Sequence, residues 1–556
     1  MKKRLWIYPV LCLTLGGIAL CLFSHPEPKL DFDFSSLWES KRKLPEKISL
    51  NGYLSGNVAR LNHDLERAIT SYVKVLEKDP ENQTLLEETF LLAILHGDLK
   101  QLVPYLDRIQ DSKMLADYAR ISVAVQNKDF KKALHLLEKK NSHAGDPLLL
   151  PLTKVWIYAG ENDKEKALST LGALKSPFVT GYQKVLLGTY FKDNALVQQG
   201  IVQIGDNDIP AIGYFPLLQK IVATTGNWEK SALYGKYKEL MKTYPATADL
   251  LVQIGQTELD AQKGLAESFY LVSALGANGK FTREEALAAN TLALFLDPGK
   301  KLSLVWGAEL AEGLQLPKIA LSYYQRLEFY SATLEFKKAA DLMLIGKTDE
   351  ALAMLEQLEP TNKTSTPLLT LLGQAYQETH QTEKALEVYN RLIPLLEINP
   401  QNKPLIQAYM IRGVLYGSQE SDKMLSDLQH AQKLDPENAL LLNDLGYHQL
   451  ETGLTDEGFE LIQKAYQKKP TNPYILDSLA FGYWKKGQAN MALPFAERAL
   501  DLMPQSALIN AHLGDIYATL GRKREAGFQY KKALDLNTDL DEALTLELQN
   551  KIKEIK

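Results

Sequence analysis

A 34-residue period in the last third of the chain restricts the possible folds more than any other feature of the sequence. Five kinds of position recur at this spacing. They are Pro436, Pro470 and Pro504; Gly446, Ala480 and Gly514; Gly453, Gly487 and Gly521; Gly458, Ala492 and Ala526; and Ala431, Ala465, Ala499 and Ala533. A fixed period of this length is typical of repeat proteins, in which each unit buries its apolar face against the next unit.

One repeat, residues 472–504, shows what each position does. Ala480 is small where a first helix crosses a second helix, and Gly487 can adopt the positive φ that ends the first helix. Pro504 then closes the unit, because a helix does not readily continue through proline. The second helix carries a single apolar stripe made of Ala492, Ala496 and Ala499. The period therefore predicts a pair of helices in each repeat.

This 34-residue set resembles the tetratricopeptide repeat. The resemblance implies an all-α fold, a right-handed superhelical solenoid of helix–turn–helix repeats behind one N-terminal hydrophobic segment. The same phases continue upstream with decreasing regularity. We predict six segments: 1–24, a signal anchor or signal peptide; 25–50, a tether; 51–194, N-terminal repeats; 195–300, irregular helical repeats; 301–538, a C-terminal repeat array; and 539–556, a capping helix.

The N-terminus has the pattern of a targeting segment. Lys2, Lys3 and Arg4 precede an uncharged apolar run, residues 5–23, which is about 28 Å long as a helix. Basic residues before such a run favour export of the rest of the chain. We favour an uncleaved signal anchor; a cleaved signal peptide and a lipid anchor at Cys21 are the alternatives. All three place the body outside the cytoplasm, and the favoured anchor predicts a membrane-anchored protein whose body lies in the periplasm of the bacterial cell envelope.

The sequence contains no motif for catalysis, and we predict no catalytic residues, no cofactor and no metal ligands. Nucleotide-binding glycine loops, zinc-protease motifs and serine-hydrolase motifs are missing, and the cysteines, Cys12 and Cys21, both precede the repeats. The net charge is -5, with no basic stripe, which argues against a nucleic-acid partner.

Protein binding is the function that a repeat array of this kind predicts. In related solenoids the first helices line a groove, so residues flanking the small crossing residue are the candidate contacts. The candidate partner-binding residues are Asn443, Tyr447, Tyr474, Asp477, Phe481, Trp484, Lys485 and Asp515. Aromatic side chains beside a few polar groups are common among residues that dominate binding energy. The alternative is that these rings pack between neighbouring repeats.

The segments 51–86 and 472–536 resemble long bacterial envelope tetratricopeptide-repeat proteins, many of which are lipoproteins. Some similar proteins are adaptors that bring a periplasmic carboxy-terminal processing protease to cell-wall hydrolases. The resemblance therefore implies a non-catalytic envelope adaptor or scaffold that recruits or regulates a protein partner, such as a periplasmic protease or a cell-wall enzyme. Two alternatives stay open: an assembly factor for a secretion, pilus or polysaccharide machine, and an enzyme with its site in residues 195–300.

Overall fold

The structure, a computed structural model, describes residues 50–109, 114–138, 148–205, 258–276, 282–398, 402–536 and 542–555. These residues form an all-helical protein, as the sequence predicted. None of the helices within these ranges is long and apolar enough to cross a membrane. The predicted signal or anchor, residues 1–24, and nearly all of the predicted tether lie outside the described residues.

The helices are named here in chain order. They are α1 Leu50–Leu61, α2 Leu65–Leu76, α3 Gln83–His96, α4 Met114–Gln126, α5 Phe130–Glu138, α6 Leu149–Gly160, α7 Lys164–Gly172, α8 Pro177–Tyr190, α9 Asn194–Gly205, α10 Ala261–Gly276, α11 Arg283–Leu296, α12 Lys301–Gly313, α13 Pro317–Gln325, α14 Ala332–Leu344, α15 Thr348–Leu358, α16 Thr366–Glu378, α17 Thr382–Ile398, α18 Asn402–Tyr416, α19 Ser421–Leu434, α20 Ala439–Thr452, α21 Thr455–Lys468, α22 Pro473–Lys485, α23 Ala489–Leu502, α24 Ala507–Thr519, α25 Lys523–Leu536 and α26 Glu542–Ile555. Short 3₁₀ helices occupy Lys100–Arg108, Glu359–Thr361 and Gly417–Glu420.

Side-chain caps and left-handed turn residues set the ends of these helices. Asn438 and Asn472 accept hydrogen bonds from the first backbone amides of α20 and α22, which would otherwise lack partners. The following turns contain Gly453, Gly487 and Gly521 with φ of 95°, 74° and 76°. Glycine adopts this conformation without a steric penalty, so the predicted role of these glycines is confirmed.

The described chain divides into two compact units, residues 50–351 and 352–555. In the second unit, the strong helix contacts join helices that are one or two apart in sequence. Its hairpins are α16–α17, α18–α19, α20–α21, α22–α23 and α24–α25, followed by α26. Small residues allow close crossing: a Cβ added to Gly446 would lie 2.6 Å from the carbonyl oxygen of Gly458.

The first unit is built differently, although it begins with the same kind of hairpin. Helices α1 to α9 form successive helix pairs, with the Lys100–Arg108 3₁₀ helix as the partner of α3. Helices α10, α11 and α13 then return and pack on the first helices of those pairs. Helix α10 contacts α4, α6 and α8, α11 contacts α3 and α4, and α13 contacts α3. We call α10, α11 and α13 the covering helices.

Buried hydrogen bonds fix the covering helices in place. The indole Nε1 of Trp156 in α6 donates to Oε1 of Gln183 at 2.8 Å, and Nε2 of Gln183 donates to Oγ of Ser268 in α10 at 2.9 Å. Thr291 in α11 donates to the carbonyl of Ile94 at 2.7 Å. These groups are buried, so a shift in helix register would leave them without partners.

A buried ion pair adds to this network. The Lys300 ammonium lies 2.7 Å from Oε1 of Glu267 in α10, and the Tyr182 hydroxyl of α8 donates to Oε2 of Glu267 at 3.1 Å. The side chains of Lys300 and Glu267 are 7% and 11% exposed. Removal of either partner would leave a poorly solvated charge, so the pair favours one arrangement of α8, α10 and α12.

The borders of the predicted segments remain predictions, as does the right-handed superhelix. Much of the predicted irregular region, 195–300, lies outside the described residues, but its described helices α10 and α11 pack in the first unit. Helices α12 and α13, which were predicted to open the C-terminal array, pack in the first unit as well. Helix α26 packs on α25, at the position predicted for a capping helix.

Candidate binding surface

The first helices of the last three repeats, α20, α22 and α24, carry all eight predicted partner-binding residues. Close crossing with the second helices determines which side of each first helix faces its neighbours. A Cβ added to Gly514 would lie 2.4 Å from the Tyr530 ring of α25, and one added to Gly482 would lie 2.7 Å from Phe459 of α21. The side of α20, α22 and α24 opposite these contacts is accessible, and on α22 it carries Trp484 and Lys485. We call this side the first-helix face.

Four of the predicted residues lie in a buried layer beneath this face. Asn443, Tyr447, Asp477 and Phe481 are 1%, 4%, 0% and 7% exposed. The Tyr447 and Phe481 rings, on neighbouring first helices, have centroids 5.1 Å apart. Such pairs stabilise a core beyond their area burial. Tyr447 and Phe481 therefore join one repeat to the next, and all four side chains offer little surface to a partner.

His512 completes this layer, and its contribution was not among the predicted contacts. Its ring stacks on Phe481 with centroids 4.7 Å apart, and its Nδ1 lies 2.8 Å from Oδ2 of Asp477. His512 is 3% exposed. The carboxylate and the imidazole are hydrogen-bonded to each other across two adjacent first helices, which makes the junction between α22 and α24 specific. The spacing of Asp477 and His512, one repeat plus one residue, is the sequence feature that indicates this pairing.

Trp484 and Lys485 lie above the buried layer and remain accessible. Trp484 is partly buried, and its indole Nε1 donates to Oγ1 of Thr519 in α24 at 2.8 Å. Lys485 is exposed, and its ammonium lies 5.0 Å from the Phe481 ring centroid and 5.6 Å from that of Trp484. The edge of the Trp484 indole and the Lys485 ammonium are therefore accessible above the buried Phe481 ring.

The two remaining predicted residues have different surroundings. Tyr474 is partly buried against the same core. Asp515 is engaged within the protein: it accepts a hydrogen bond from the Tyr530 hydroxyl at 2.7 Å and forms an ion pair with Lys551 of α26. Burial and the Asp515 carboxylate raise the pKa of the Tyr530 phenol well above its usual range, so the phenol remains a donor. Asp515 therefore attaches the capping helix to the last repeat.

The described residues include no group of three or more histidine, cysteine, aspartate or glutamate side chains that could hold a metal ion. Asp477 and His512 are buried together with the Phe481 and Tyr447 rings. The accessible groups described on this surface are the indole of Trp484 and the ammonium of Lys485.

Comparison with known proteins agrees with the repeat period. Residues 507–540, which contain α24 and α25, match the model of the family described as tetratricopeptide repeat. The hairpins α20–α21 and α22–α23 keep the same 34-residue spacing as α24–α25, and their turns also contain a glycine with positive φ.

Two curated proteins are similar over parts of their length. The human "Protein O-mannosyl-transferase TMTC1" is 23% identical over 202 residues, which are 34% of this chain and 22% of that protein. The "TPR repeat-containing protein PA4667" of Pseudomonas aeruginosa is 28% identical over 176 residues, 31% of this chain and 29% of that protein. The similarity thus spans less than a third of either relative.

Solved structures show a distant likeness. The structure titled "APC/C hetero-tetramer Cut9-Hcn1" contains a chain that is 16% identical, with a TM-score of 0.37 over 91% of this chain and 96% of that chain. At this score the likeness carries no argument about function.

Proposed function

We propose that this protein is a non-catalytic scaffold that binds a protein partner through the first-helix face of its last three repeats. The observation that carries the proposal is the pairing of Trp484 and Lys485 at the surface, above the buried layer of Tyr447, Phe481 and His512. A tryptophan that is fixed by a hydrogen bond loses little entropy on binding, and tryptophan is among the residues enriched at binding hot spots.

The chemistry of this surface favours a particular kind of segment. An apolar or aromatic side chain can pack on the exposed edge of Trp484, while a carboxylate can approach the ammonium of Lys485. The aromatic base beneath Lys485 holds the ammonium near the rings and leaves its outer side open to an acidic group. The partner segment therefore combines an apolar anchor with an acidic residue close to it in sequence.

The first unit has a different role in this proposal. Its covering helices already pack on the first helices α3, α4, α6 and α8, so the equivalent face is buried by the chain itself. A partner cannot use that face without displacing a hydrogen-bonded core. The first unit thus serves as a stable body of the scaffold, and the second unit presents the recognition surface.

The cellular role that we propose rests on the N-terminal sequence and on the resemblance to envelope proteins. The basic cluster and the apolar run at residues 5–23 support a membrane anchor with the body in the periplasm. A periplasmic carboxy-terminal processing protease, or the cell-wall enzyme that it processes, is then the partner class. As an adaptor, the scaffold would hold such a partner near the membrane.

Affinity capture from detergent-solubilised membranes tests the recognition surface. The variant to compare with the native chain is Trp484→Ala combined with Lys485→Glu, because both side chains are accessible and their loss spares the buried layer. The matched control is Met491→Ala combined with Lys523→Glu, the same kinds of change at exposed positions on the second helices α23 and α25.

We expect the native chain and the control to retain the same partner, and the Trp484→Ala/Lys485→Glu variant to lose it while its circular dichroism stays unchanged. Retention of the partner by this variant would place recognition elsewhere. Identification of a protease or a cell-wall enzyme in the capture supports the adaptor role, and components of a secretion, pilus or polysaccharide machine would instead support an assembly factor.

A further inference from the structure

The second helices of the last three repeats, α21, α23 and α25, each bury one side and expose the other. On α23 the buried side consists of Ala492, Ala496 and Ala499, all 0% exposed. We call the opposite side of these three helices the outer side. Equivalent residues of the helices are 34 positions apart, and the rings of Tyr466 in α21 and Phe495 in α23 have centroids 5.7 Å apart. Since the repeats stack in sequence order, the three outer sides lie next to one another.

The outer side of α21 is acidic. Asp456, Glu457 and Glu460 are all exposed, and we call them the acidic patch. Asp456 forms an ion pair with Lys486 of α22, yet its side chain is still 82% exposed. Glu457 and Glu460 have no ion pair among the residues that the structure describes. The patch therefore presents carboxylates that are open to a positively charged group.

The outer side of α25 has the opposite charge, two repeats further along the chain. Arg524 and Lys531 are exposed and Lys532 is partly exposed; we call these three residues the basic patch. Within the described ranges none of the three forms an ion pair, and the nearby acid Glu525 already forms one at the start of the same helix. Phe528 lies between the cations in sequence and is 66% exposed. The patch thus combines unpaired cations with an accessible aromatic ring.

The outer side of α23 separates the two patches. Its first half carries Asn490, Met491 and Pro494, which are exposed and uncharged, and Met491 is 54% exposed. Its second half carries Glu497 and Arg498, one charge of each sign. The three neighbouring helices are therefore acidic, uncharged and basic in that order.

We propose that two copies of this protein pair through these outer sides, about a two-fold axis that runs along α23. Rotation about this axis reverses the order of the three helices and keeps their direction. Each acidic patch then faces the basic patch of the other copy, so both complementary contacts form at once and the assembly closes as a dimer. Met491 and Phe528 are the exposed apolar side chains that this contact removes from water.

A second acidic helix explains why the axis lies on α23. Counted from the crossing glycines Gly373 and Gly446, Glu383 and Glu387 of α17 are equivalent to Asp456 and Glu460 of the acidic patch. Pairing of α17 with the basic patch would need an axis on α21, the helix midway between α17 and α25. The acidic patch would then face its own copy, and like charges placed against each other are unfavourable. An axis on α23 places an uncharged surface there instead.

The dimer does not depend on the proposed partner. The outer sides of the second helices are opposite the first-helix face, so Trp484 and Lys485 stay accessible in both copies. Exposed charge pairs contribute little each, so we expect a dissociation constant on the order of micromolar. Salt screens such contacts, so we expect dimerisation to weaken as the ionic strength rises. Loss of the partner and loss of the dimer are separate results.

Sedimentation of the full-length protein in detergent, over a range of concentrations at low salt, provides the first test. The variants Glu457→Lys/Glu460→Lys and Arg524→Glu/Lys531→Glu should each raise the dissociation constant of the dimer at least tenfold, because each leaves like charges facing one another. A native chain that stays monomeric at about 100 μM would overturn the proposal, since this is far above the expected constant.

A mixture of the two variants and a control on α17 make this test specific. In an equimolar mixture, one variant has two basic outer helices and the other has two acidic ones, so mixed dimers should form with near-native affinity. Failure of the mixture to dimerise would contradict the pairing of α21 with α25. Glu383→Lys/Glu387→Lys makes the same charge change at the equivalent positions of α17 and should leave the dimer intact. Loss of the dimer in this control would show that the axis does not lie on α23.

A disulfide test locates the axis directly. In the full chain with Cys12 and Cys21 replaced by serine, Pro494→Cys should form disulfide-linked dimers under mild oxidation, because residue 494 of each copy lies near the axis. Leu546→Cys, at a position of α26 that is 58% exposed, should remain reduced at the same protein concentration. Equal cross-linking of the two variants, or none at residue 494, would contradict the proposed dimer.

Discussion

The two units start from the same helical hairpin and use its first-helix face in opposite ways. In the first unit, the covering helices pack on this face, through hydrogen bonds between residues 85 to 228 positions apart in sequence. In the second unit, neighbouring first helices pack on one another, and Trp484 and Lys485 remain accessible on this face. The comparison teaches that one local repeat geometry supports either a self-contained body or, as we propose, a recognition surface. The distant parts of the chain decide which one forms.

The turns show a second difference between the units. Most first-unit turns place a residue other than glycine in the left-handed conformation: His63, Lys128, Asn162, Lys192 and Gln315 have φ between 56° and 62°. The last three repeats use glycine there. The turn residue has a similar positive φ in both units, so the replacement of glycine at the turns contributes to the weak sequence periodicity of the first unit.

The largest effect that we expect is on Trp156, a fully buried residue that contacts the covering helix α10. Trp156→Ala should destabilise the first unit by about 4 kcal/mol, because it leaves a large cavity and removes the donor to Gln183. Hydrogen exchange should quicken in α6 and α10 together. Trp484→Ala is the matched control and should cost less than about 1 kcal/mol. If hydrogen exchange becomes faster in α6 alone, the conclusion that α6 and α10 share one core is contradicted.

Phe481→Ala tests whether the second unit responds locally. The side chain is 7% exposed and stacks on His512, so we expect a loss of about 3 kcal/mol. Urea unfolding followed by hydrogen exchange should show the change in α20 to α25 and none in α1 to α13. Phe528→Ala, at a position that is 66% exposed in the same unit, should change stability by less than about 0.5 kcal/mol.

Gly264→Ala probes the closest contact of a covering helix. An added Cβ would lie 2.1 Å from the Trp156 ring, so we expect a loss of about 2 kcal/mol although alanine favours helices. The matched control is Gly172→Ala, where nothing lies within 4 Å of the added Cβ. Thermal unfolding should show a lower Tm for the first variant and an equal or higher Tm for the second.

Asp341 makes the stability of the first unit depend on pH. Burial, and next the Glu312 carboxylate, raise the pKa of Asp341 to about 8, while Lys337 opposes the shift. The folded protein binds this proton more tightly than the unfolded chain does, so its stability falls as pH rises from about 4 to 8. Asp341→Asn should therefore stabilise the unit by about 1–2 kcal/mol at pH 8 and have little effect near pH 4.

An aspartate in the second unit is the control for this prediction. Asp427 forms a bidentate ion pair with Arg412, with both N–O distances at 2.8 Å. Asp427→Asn should destabilise the protein at pH 8, because Arg412 loses its charged partner. Thermal unfolding at pH 8 measures both effects. If Asp341→Asn and Asp427→Asn change the stability in the same direction, the environments assigned to the two aspartates are wrong.

The smallest effect concerns the turns. Lys128 is exposed with φ of 57°, a conformation that glycine adopts at a lower cost. Lys128→Gly should stabilise the first unit by about 0.5 kcal/mol, after allowance for the extra freedom of glycine in the unfolded chain. Lys131→Gly, within helix α5, should destabilise it by about 1 kcal/mol. The free energy of unfolding, measured with urea, should rise for Lys128→Gly and fall for Lys131→Gly.

The sequence predicted the parts of this structure that depend on local chemistry. The hairpins of residues 439–536, their turns at Gly453, Gly487 and Gly521, and the small residues at the crossings follow from spacing and residue size. The covering helices could not be predicted in this way, because a contact such as Thr291 with Ile94 leaves no periodic pattern. Nothing within α10 or α11 indicates that its neighbours are α3 to α8.

The same limit applies to the candidate surface. Spacing placed Phe481, Trp484 and Lys485 on one helix, and their side chains do lie together. Whether a ring is buried or accessible depends on the next repeat, so Phe481 and Trp484 could not be separated from sequence alone. Asp515 illustrates this most clearly, since its partner Lys551 comes from α26, beyond the last repeat. Binding by any of these residues stays a prediction.

The covering helices also determine when the first unit can finish folding during synthesis of the chain. The carbonyl of Leu95 receives its hydrogen bond from Tyr323, which is made 228 residues later. At roughly 10 residues per second, the ribosome needs about 20 seconds to supply that partner. Until then the cover of the apolar first helices α3, α4, α6 and α8 is incomplete, whereas each hairpin of the second unit meets its neighbour within the next few seconds. We therefore expect this chain to depend most on a chaperone while its first unit is being synthesised.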